Sequence, residues 1–183
     1  MRFGEGRRAL NATMLSSPSS FAWVSLDAFY KYCTDNNIVF KEWSFIWGVG
    51  QAGNLETDSG VKHTIDTVNA IVAAGAPIHA FGCETHDAKD LPSSTLKANI
   101  DKIASSTGLP IYITEYDLNI ADDDQQRAVM QDHVTMFWNN SIVKGITYFG
   151  YIVGATWRTS TGLMQSSGSM RPAMIWLMDF LGR

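Results

Sequence analysis

The sequence predicts an α/β fold in which parallel strands alternate with helices. Short apolar runs of strand length are followed by amphipathic runs of helix length four times in succession. That alternation is typical of a parallel sheet with helices packed outside it. Right-handed crossovers leave two architectures, an open doubly wound sheet or a closed (β/α)8 barrel. Because no glycine-rich phosphate loop follows any strand, a dinucleotide-binding fold is not expected.

The first of these units lies in the N-terminal part of the chain. Apolar residues at helical spacing predict a helix over 21–32, and a run rich in β-branched and aromatic residues predicts a strand over 38–47. Residues 48–60 contain four glycines and no periodicity, so they are expected to form a loop. The helix of this unit is predicted over 61–74.

Three further units follow along the chain. Their strand and helix pairs are predicted at 77–82 with 91–105, 111–118 with 122–139, and 145–153 with 173–181. A serine, Ser93 or Ser94, is available to cap the first of these helices. The acidic run Asp122–Asp124 suits the positive N-terminal end of the second, and we expect it to be solvated rather than to bind a metal.

The composition indicates a folded, globular protein. A length of 183 residues fits one domain over 1–183 with a buried core. Apolar residues make up 45% and charged residues 17%, which excludes a wholly disordered chain. The net charge of −4 argues against a nucleic-acid-binding protein, and no apolar run reaches the ~18 residues of a membrane span. Cys33 and Cys83 make no disulfide framework, and Cys83 is expected to be a buried apolar side chain.

Chemically active side chains follow the predicted strands at their C-terminal ends, where both architectures carry function. In chain order they are Trp43 and Trp47, then Glu84 and His86, then Glu115 and Asp117, and finally Tyr151, Trp157 and Arg158. Paired carboxylates beside aromatic side chains are what cleavage of a glycosidic bond requires. One carboxyl group protonates the leaving oxygen, and the other attacks or stabilises the anomeric carbon.

Two carboxylates carry this prediction. Glu115 lies at the mouth of a buried strand, where a carboxylate must be paired, hydrogen-bonded or functional. Glu84 lies at the matching height on the preceding strand, and neighbouring strands are ~4.8 Å apart, so we expect the two groups to be close. His86 is a candidate for orienting a carboxylate by hydrogen bonding. The alternatives are a structural ion pair at Glu115, a solvated loop position for Glu84 and a structural role for His86.

Several segments resemble one enzyme family. Residues 109–118, which read LPIYITEYDL, are similar to the nucleophile strand of the family 10 glycoside hydrolases, the retaining endo-β-1,4-xylanases. Residues 143–151 and 156–158 resemble that family's last strand and its tryptophan loop. Residues 82–86 resemble its sixth strand, and residues 21–48 resemble a helix followed by its third strand.

This resemblance implies a (β/α)8 barrel and retaining hydrolysis of xylan-type β-1,4 polysaccharide with Glu115 as the nucleophile. It implies that His86 hydrogen-bonds that carboxylate, that Asp117 supports it and that Trp157 walls the sugar cleft. No metal and no organic cofactor are implied. The family resemblance also implies secretion, although this chain shows no recognisable signal peptide.

The sequence departs from the family at the site itself. The family's acid/base glutamate lies on the fourth strand in a Val-Val-Asn-Glu motif, which this sequence lacks. Only the loop at 48–60 stands where the family has strands four and five, and the first strand is not recognisable in 1–20. We therefore expect an incomplete barrel with four or five recognisable β/α units. Trp43, Glu84 and Phe149 replace a histidine, a glutamine and a tryptophan that the family typically has there.

The sequence leaves three functions open. The first is hydrolysis of xylan or xylo-oligosaccharides, with Glu84 as a candidate substitute for the missing acid/base. The second is a catalytically impaired carbohydrate-binding module, or a half-barrel that pairs its open sheet edges with a second copy. The third is an engineered site on this scaffold, in which Glu84 or Glu115 acts as a general base beside Trp43. The candidates for substrate binding are Trp43, Trp47, Tyr151, Trp157 and Arg158.

Overall fold

The computed structural model of the protein describes Lys31, Asp35, residues 55–73, Gly75 and residues 78–183. Two predicted elements, the helix over 21–32 apart from Lys31 and the strand over 38–47, lie outside the described residues. Trp43 and Trp47 lie outside them as well. The elements that position the site are those of residues 55–183.

The chain divides into two units, Met1–Glu42 and Trp43–Arg183. In the first unit, Lys31 and Asp35 are helical and form an exposed ion pair of 2.8 Å at a spacing of one helical turn. The second unit contains every strand and helix named below.

Three parallel strands form the sheet of the described residues. They are β1 (Phe81–Thr85), β2 (Ile111–Tyr116) and β3 (Val143–Tyr148), with β2 in the centre. The predicted parallel pairing is confirmed for these three units. Within the described part of the chain, no further strand pairs with the outer edge of β1 or β3. Association of two copies through such an edge stays a prediction.

Four helices alternate with these strands. They are α1 (Asp58–Ala73), α2 (Ser93–Thr107), α3 (Asp123–Asn139) and α4 (Pro172–Phe180), and a 3-10 turn (Ala88–Asp90) precedes α2. Each helix packs against the next one along the chain, so the helices form a layer outside the sheet. None of the described helices is long and apolar enough to cross a membrane.

All three strands differ from their predicted bounds, and β2 ends at Tyr116 rather than 118. β1 begins at Phe81 rather than 77, because its ladder starts where Phe81 N–H donates to the Pro110 carbonyl at 2.9 Å. It continues to Thr85, so Glu84 lies within the strand rather than after it. β3 ends at Tyr148 rather than 153, because the chain turns away at Gly150, whose φ is +81°.

One helix cap also differs from the prediction. The α3 helix is capped as the acidic run suggested, since the Asp122 side chain accepts from Gln125 N–H at 2.8 Å. Pro92 occupies the N-cap position of α2, which therefore lacks a serine cap. The Asp132 carboxylate of α3 accepts instead from Ser93 N–H at 3.0 Å and from Ser93 Oγ at 2.6 Å. A partner from the neighbouring helix replaces the local cap.

The core lies between the outer face of the sheet and the helices. Cys83, Ile111 and Ile113 from the strands and Ile100 and Phe137 from α2 and α3 are all completely buried. Cys83 carries a free thiol, as the sequence predicts for a small buried apolar side chain.

His133 is a hydrogen-bonded core residue. Its Nε2 lies 2.7 Å from the Leu91 carbonyl, which can only accept, so Nε2 carries the proton. Its Nδ1 then accepts from the Tyr116 hydroxyl at 3.1 Å. Burial lowers the pKa of His133, which favours the neutral ring that these two partners require. His133 thus ties α3 to β2 and to the segment before α2.

Arg171 fastens the long loop after β3 to the rest of the unit. Its side chain is 4% exposed and donates to one carboxylate and four backbone carbonyls. Nε donates to Asp123 Oδ1 (2.6 Å), Nη1 to the carbonyls of Ser160 (3.0 Å) and Gly162 (2.7 Å), and Nη2 to those of Ile120 (2.9 Å) and Ala121 (3.2 Å). One guanidinium therefore joins the loop after β2, the start of α3 and the loop after β3.

Candidate active site

The structure brings predicted site residues from three β/α units together at the C-terminal edge of the sheet. The residues joined by hydrogen bonds are His86 after β1, Glu115 in β2, Asp117 after β2, and Trp157 and Arg158 in the loop after β3. Glu84 in β1 lies opposite Glu115 in the register of the two strands. Tyr151 lies on the same loop as Trp157, with half of its surface exposed.

A one-residue irregularity in β2 decides which way Glu115 points. Cys83 pairs with Ile113, but Glu84 pairs with Glu115, so Thr114 is an extra residue in β2. Because side chains alternate along a strand, a regular β2 with Thr114 paired to Glu84 would place Glu115 on the same face as Ile113, opposite to Glu84. Thr114 Oγ1 donates to the Cys83 carbonyl at 3.1 Å, which satisfies a backbone acceptor where the ladder is interrupted.

Glu84 and Glu115 form a close carboxylate pair with His86 beside them. One ligating atom from each of the three residues lies within 4.8 Å of the other two. A retaining glycosidase has its two carboxyl groups about 5–5.5 Å apart, and the nearest oxygens of this pair are no farther apart than that. The same three side chains could approach a metal ion, but both His86 nitrogens already have carboxylate partners. The arrangement therefore favours charge pairing over metal binding.

The His86 imidazole bridges two carboxylates. Its Nε2 lies 3.1 Å from Glu115 Oε2, and its Nδ1 lies 2.9 Å from Asp117 Oδ2. Burial lowers the pKa of His86, but the hydrogen bonds to Asp117 and Glu115 outweigh it and raise the pKa to about 9. At neutral pH the ring is an imidazolium that donates to both carboxylates.

Asp117 is completely buried and accepts two hydrogen bonds on one oxygen. Asp117 Oδ2 receives His86 Nδ1 and also Trp157 Nε1, the latter at 2.5 Å. Asp117 Oδ1 is buried and has no hydrogen-bond partner among the described residues. Because a buried carboxylate is costly unless it is paired, the imidazolium and the indole N–H are the groups that stabilise it.

Aromatic rings line this edge. Trp157 has about half of its surface exposed, and its ring meets His86 edge to face at 4.6 Å between centroids. Phe149 meets the other side of the imidazole at 5.3 Å. Exposed indole and phenol faces are amphipathic surfaces on which the apolar face of a sugar ring can stack.

Arg158 is held on several sides by groups of the protein itself. Its Nη1 donates to Asp87 Oδ1 at 2.5 Å and to the His86 carbonyl at 3.1 Å, and its Cζ lies 4.1 Å from the centroid of the Trp157 ring. The hydrogen bond from Arg158 lowers the pKa of Asp87. Substrate binding by Arg158 stays a prediction.

Sequence reasoning missed Glu56. Its Oε1 accepts from Asp87 N–H at 3.1 Å, and its Oε2 is buried with no hydrogen-bond partner in the part of the chain that the structure describes. Burial raises the pKa of Glu56, and the bond from Asp87 N–H offsets this only in part. Glu56 precedes α1 in a segment read as loop, so no periodicity marks it.

The charge on His86 predicts a loss of stability at alkaline pH. The folded-state pKa is raised above the ordinary 6.5, so its contribution is complete below pH 6.5 and disappears as pH rises through about 9. A shift of this size corresponds to about 3 kcal/mol. The free energy of unfolding of the wild type, measured in urea, should therefore fall by that amount between pH 6.5 and 10, after the change in His86→Gln over the same range is subtracted.

A control for this experiment comes from His133. Its folded-state pKa is lowered, so its contribution is complete above pH 6.5 and falls in acid, outside the alkaline window. Equal alkaline losses in the wild type and His86→Gln would contradict the bridging charge at His86.

Comparison with known proteins places this geometry in a family. The family model described as Glycosyl hydrolase family 10 matches residues 54–179, which is more than half of the chain. Endo-1,4-beta-xylanase B of Cellvibrio japonicus is 42% identical over 232 residues, covering 87% of this chain and 39% of that protein. The chain thus spans well under half of the length of this relative. The aligned stretch of 232 positions exceeds the 183 residues of the chain, so the relative has positions inside it without a counterpart here.

Solved structures agree on the fold. Xylanase 10B of Thermotoga maritima superposes with a TM-score of 0.60 at 19% identity, covering 70% of this chain and 45% of that one. TsXylA, an intracellular xylanase of Thermoanaerobacterium saccharolyticum solved with xylotetraose, superposes with a TM-score of 0.57 at 21% identity, covering 66% of this chain and 41% of that one. These similarities and the family match decide between the two predicted architectures. The strands and helices are part of a (β/α)8 barrel rather than of an open doubly wound sheet.

Proposed function

The chain belongs to glycosyl hydrolase family 10, and from that premise we propose that it is a retaining glycoside hydrolase acting on β-1,4-linked xylan or xylo-oligosaccharides. The observation that carries the proposal is the Glu84–Glu115 pair, aligned on one face of the sheet with ligating atoms within 4.8 Å. Among the described residues, nothing favours a binding-only module or an engineered site over hydrolysis.

Glu115 is the nucleophile in this proposal. Its carboxylate attacks the anomeric carbon as the glycosidic C–O bond breaks, and a covalent glycosyl ester forms. The His86 imidazolium, 3.1 Å away, stabilises the carboxylate when the ester is broken again. Asp117 holds the imidazolium from its other nitrogen and so fixes the ring orientation. Trp157 and Tyr151 offer their exposed faces to the sugar rings.

Glu84 is the proposed acid and base. Its carboxyl proton passes to the departing oxygen in the first step, and its carboxylate then takes a proton from the water that attacks the ester. This assignment is supported by its position opposite Glu115 and by the absence of the Val-Val-Asn-Glu motif from the sequence.

The proposed function is tested by trapping the covalent intermediate. In a dinitrophenyl 2-deoxy-2-fluoro-β-xylobioside, fluorine slows both steps by destabilising their oxocarbenium-like transition states, while the good leaving group restores the rate of the first step, so the ester accumulates. Intact-protein mass spectrometry should show one added fluoroxylobiosyl group, and peptide mapping should place it on Glu115. An unmodified mass after long incubation, or an adduct on another residue, would overturn the proposal.

Glu84→Gln separates proton donation from nucleophilic attack. We expect kcat/KM on xylan to fall by about 10²–10⁴-fold, the usual contribution of a general acid. On dinitrophenyl xylobioside, whose leaving group needs no proton, the first step should change by less than about tenfold. Asp90→Asn, an exposed carboxylate in the 3-10 turn after β1, is the matched control. Equal losses on both substrates would exclude Glu84 as the acid.

A further inference from the structure

Two loops that carry the site meet through one ion pair. Arg158, in the loop after β3, pairs with Asp87, in the turn after β1, and their side chains are 26% and 66% exposed. An isolated pair of this exposure stabilises a protein very little. Arg158 makes two further contacts that an ordinary surface arginine lacks, to the His86 carbonyl and to the face of the Trp157 ring.

These contacts close a ring around the buried Asp117. The Arg158 guanidinium touches the backbone of His86 and the ring of Trp157. The side chains of His86 and Trp157 both donate to Asp117 Oδ2, at 2.9 and 2.5 Å. The other nitrogen of His86 reaches Glu115 at 3.1 Å. The guanidinium therefore contacts both residues that donate to Asp117, and one of them, His86, is also the partner of Glu115.

The geometry requires a guanidinium rather than any cation. The Arg158 Cζ lies over the indole, 4.1 Å from its centroid, while the guanidinium N–H groups donate to Asp87 and the His86 carbonyl. A lysine ammonium is a compact charge that cannot stack on the indole and donate to both acceptors at the same time. Asp87 is itself fixed from the other side, because its N–H donates to Glu56 Oε1.

We propose that Arg158, held by Asp87, is a positioning residue that sets the His86 imidazole and the Trp157 indole relative to Glu115. This inference rests on the proposed function for its kinetic consequence, but the contacts exist in the free protein. It assigns to Arg158 a role that differs from direct substrate binding. The contacts of Arg158 with Asp87, the His86 carbonyl and the Trp157 ring form a clamp. Loss of this clamp displaces a sugar-stacking ring and the hydrogen-bond partner of the nucleophile together.

The kinetic test uses Arg158→Gln, Arg158→Lys, Asp87→Asn and the Arg158→Gln/Asp87→Asn double variant on dinitrophenyl xylobioside. We expect Arg158→Gln to lower kcat and raise KM, with kcat/KM falling by about 10–100-fold, as small displacements in active sites do. Arg158→Lys should recover only part of the loss. The double variant should be no worse than Arg158→Gln, because both changes remove the same contact. A rise in KM with unchanged kcat would indicate substrate binding and overturn the proposal.

A second measurement needs no turnover. We expect Arg158→Gln to increase acrylamide quenching of tryptophan fluorescence, and the same change in a Trp157→Phe background to have no effect. Arg127→Gln, which removes an exposed arginine paired with Asp124 on α3, is the matched control and should leave quenching unchanged. If wild type and Arg158→Gln are quenched equally, the clamp does not hold Trp157 and the proposal fails. An inactive wild type with the expected quenching change would reject the proposed function and keep the clamp.

Discussion

Glu115→Ala is expected to lower kcat/KM for dinitrophenyl xylobioside by about 10⁴-fold or more, the size of loss seen when a nucleophile is removed. That corresponds to about 5.5 kcal/mol of transition-state stabilisation. The physical reason is that no other described carboxylate on this face is paired with His86 Nε2 at 3.1 Å. Steady-state kinetics with the activated aryl substrate measures the loss without demanding an acid catalyst.

Azide distinguishes the two carboxylates by stereochemistry. In Glu115→Ala, azide can enter the space left by the side chain and attack the anomeric carbon from that face, giving an α-xylobiosyl azide. In Glu84→Ala, azide would instead open the ester on Glu115 and give the β product. Asp66→Ala, an exposed acid on α1, is the control and should leave activity unchanged. A β product from Glu115→Ala would reverse the assignment of roles.

Arg171→Met is expected to destabilise the fold by about 3–5 kcal/mol, because removing a buried guanidinium leaves backbone carbonyls without a hydrogen-bond donor. Four backbone carbonyls, from the loop after β2 and the loop after β3, lose the Arg171 donor at once. Among the described residues, only those of Ser160 and Gly162 keep a second donor, Gln126 Nε2. A loss of this size is a large fraction of the stability of a typical domain. Urea unfolding at pH 7 measures it.

Two further variants keep this prediction testable. Arg127→Met removes an exposed arginine that pairs with Asp124 on the same helix, and it should cost less than about 1 kcal/mol. Arg171→Lys keeps the charge but not the forked guanidinium donors, so its free energy of unfolding should lie between those of Arg171→Met and the wild type. If Arg171→Met unfolds at the same urea concentration as Arg127→Met, the contacts of Arg171 do not hold the loop.

The sequence predicts the strand and helix order well, because the alternation of apolar periods is a local property. It also places Glu84 and Glu115 at one height, since parallel strands end at the same edge of the sheet. The Asp132 cap of α2 is not predictable in this way, because Ser93 and Asp132 lie on different helices. Glu56 was missed for the same reason, since its partner is the backbone of Asp87 in another segment.

Other parts of the site depend on geometry that residue types do not encode. Arg158 is a candidate for substrate binding from its place after the last strand, and the sequence does not indicate that its guanidinium also meets Asp87 and the His86 carbonyl. The raised pKa of His86 depends on two carboxylates that converge from one strand onto a single ring. A strict alternation of faces along β2 would have grouped Glu115 with Ile113, and only the observed register separates them.

The extra residue in β2 makes the orientation of Glu115 depend on the strand register as well as on residue type. A regular β2 of the same sequence, with Thr114 instead of Glu115 opposite Glu84, would turn the Glu115 carboxylate into the layer of helices and Tyr116 toward the face that carries Glu84. Tyr116 is completely buried against His133 and Phe137, so the regular strand would place a carboxylate where the core now holds an aromatic ring. The irregularity at Thr114 thus lets Ile113 and Glu115, two positions apart in one strand, face opposite sides of the sheet.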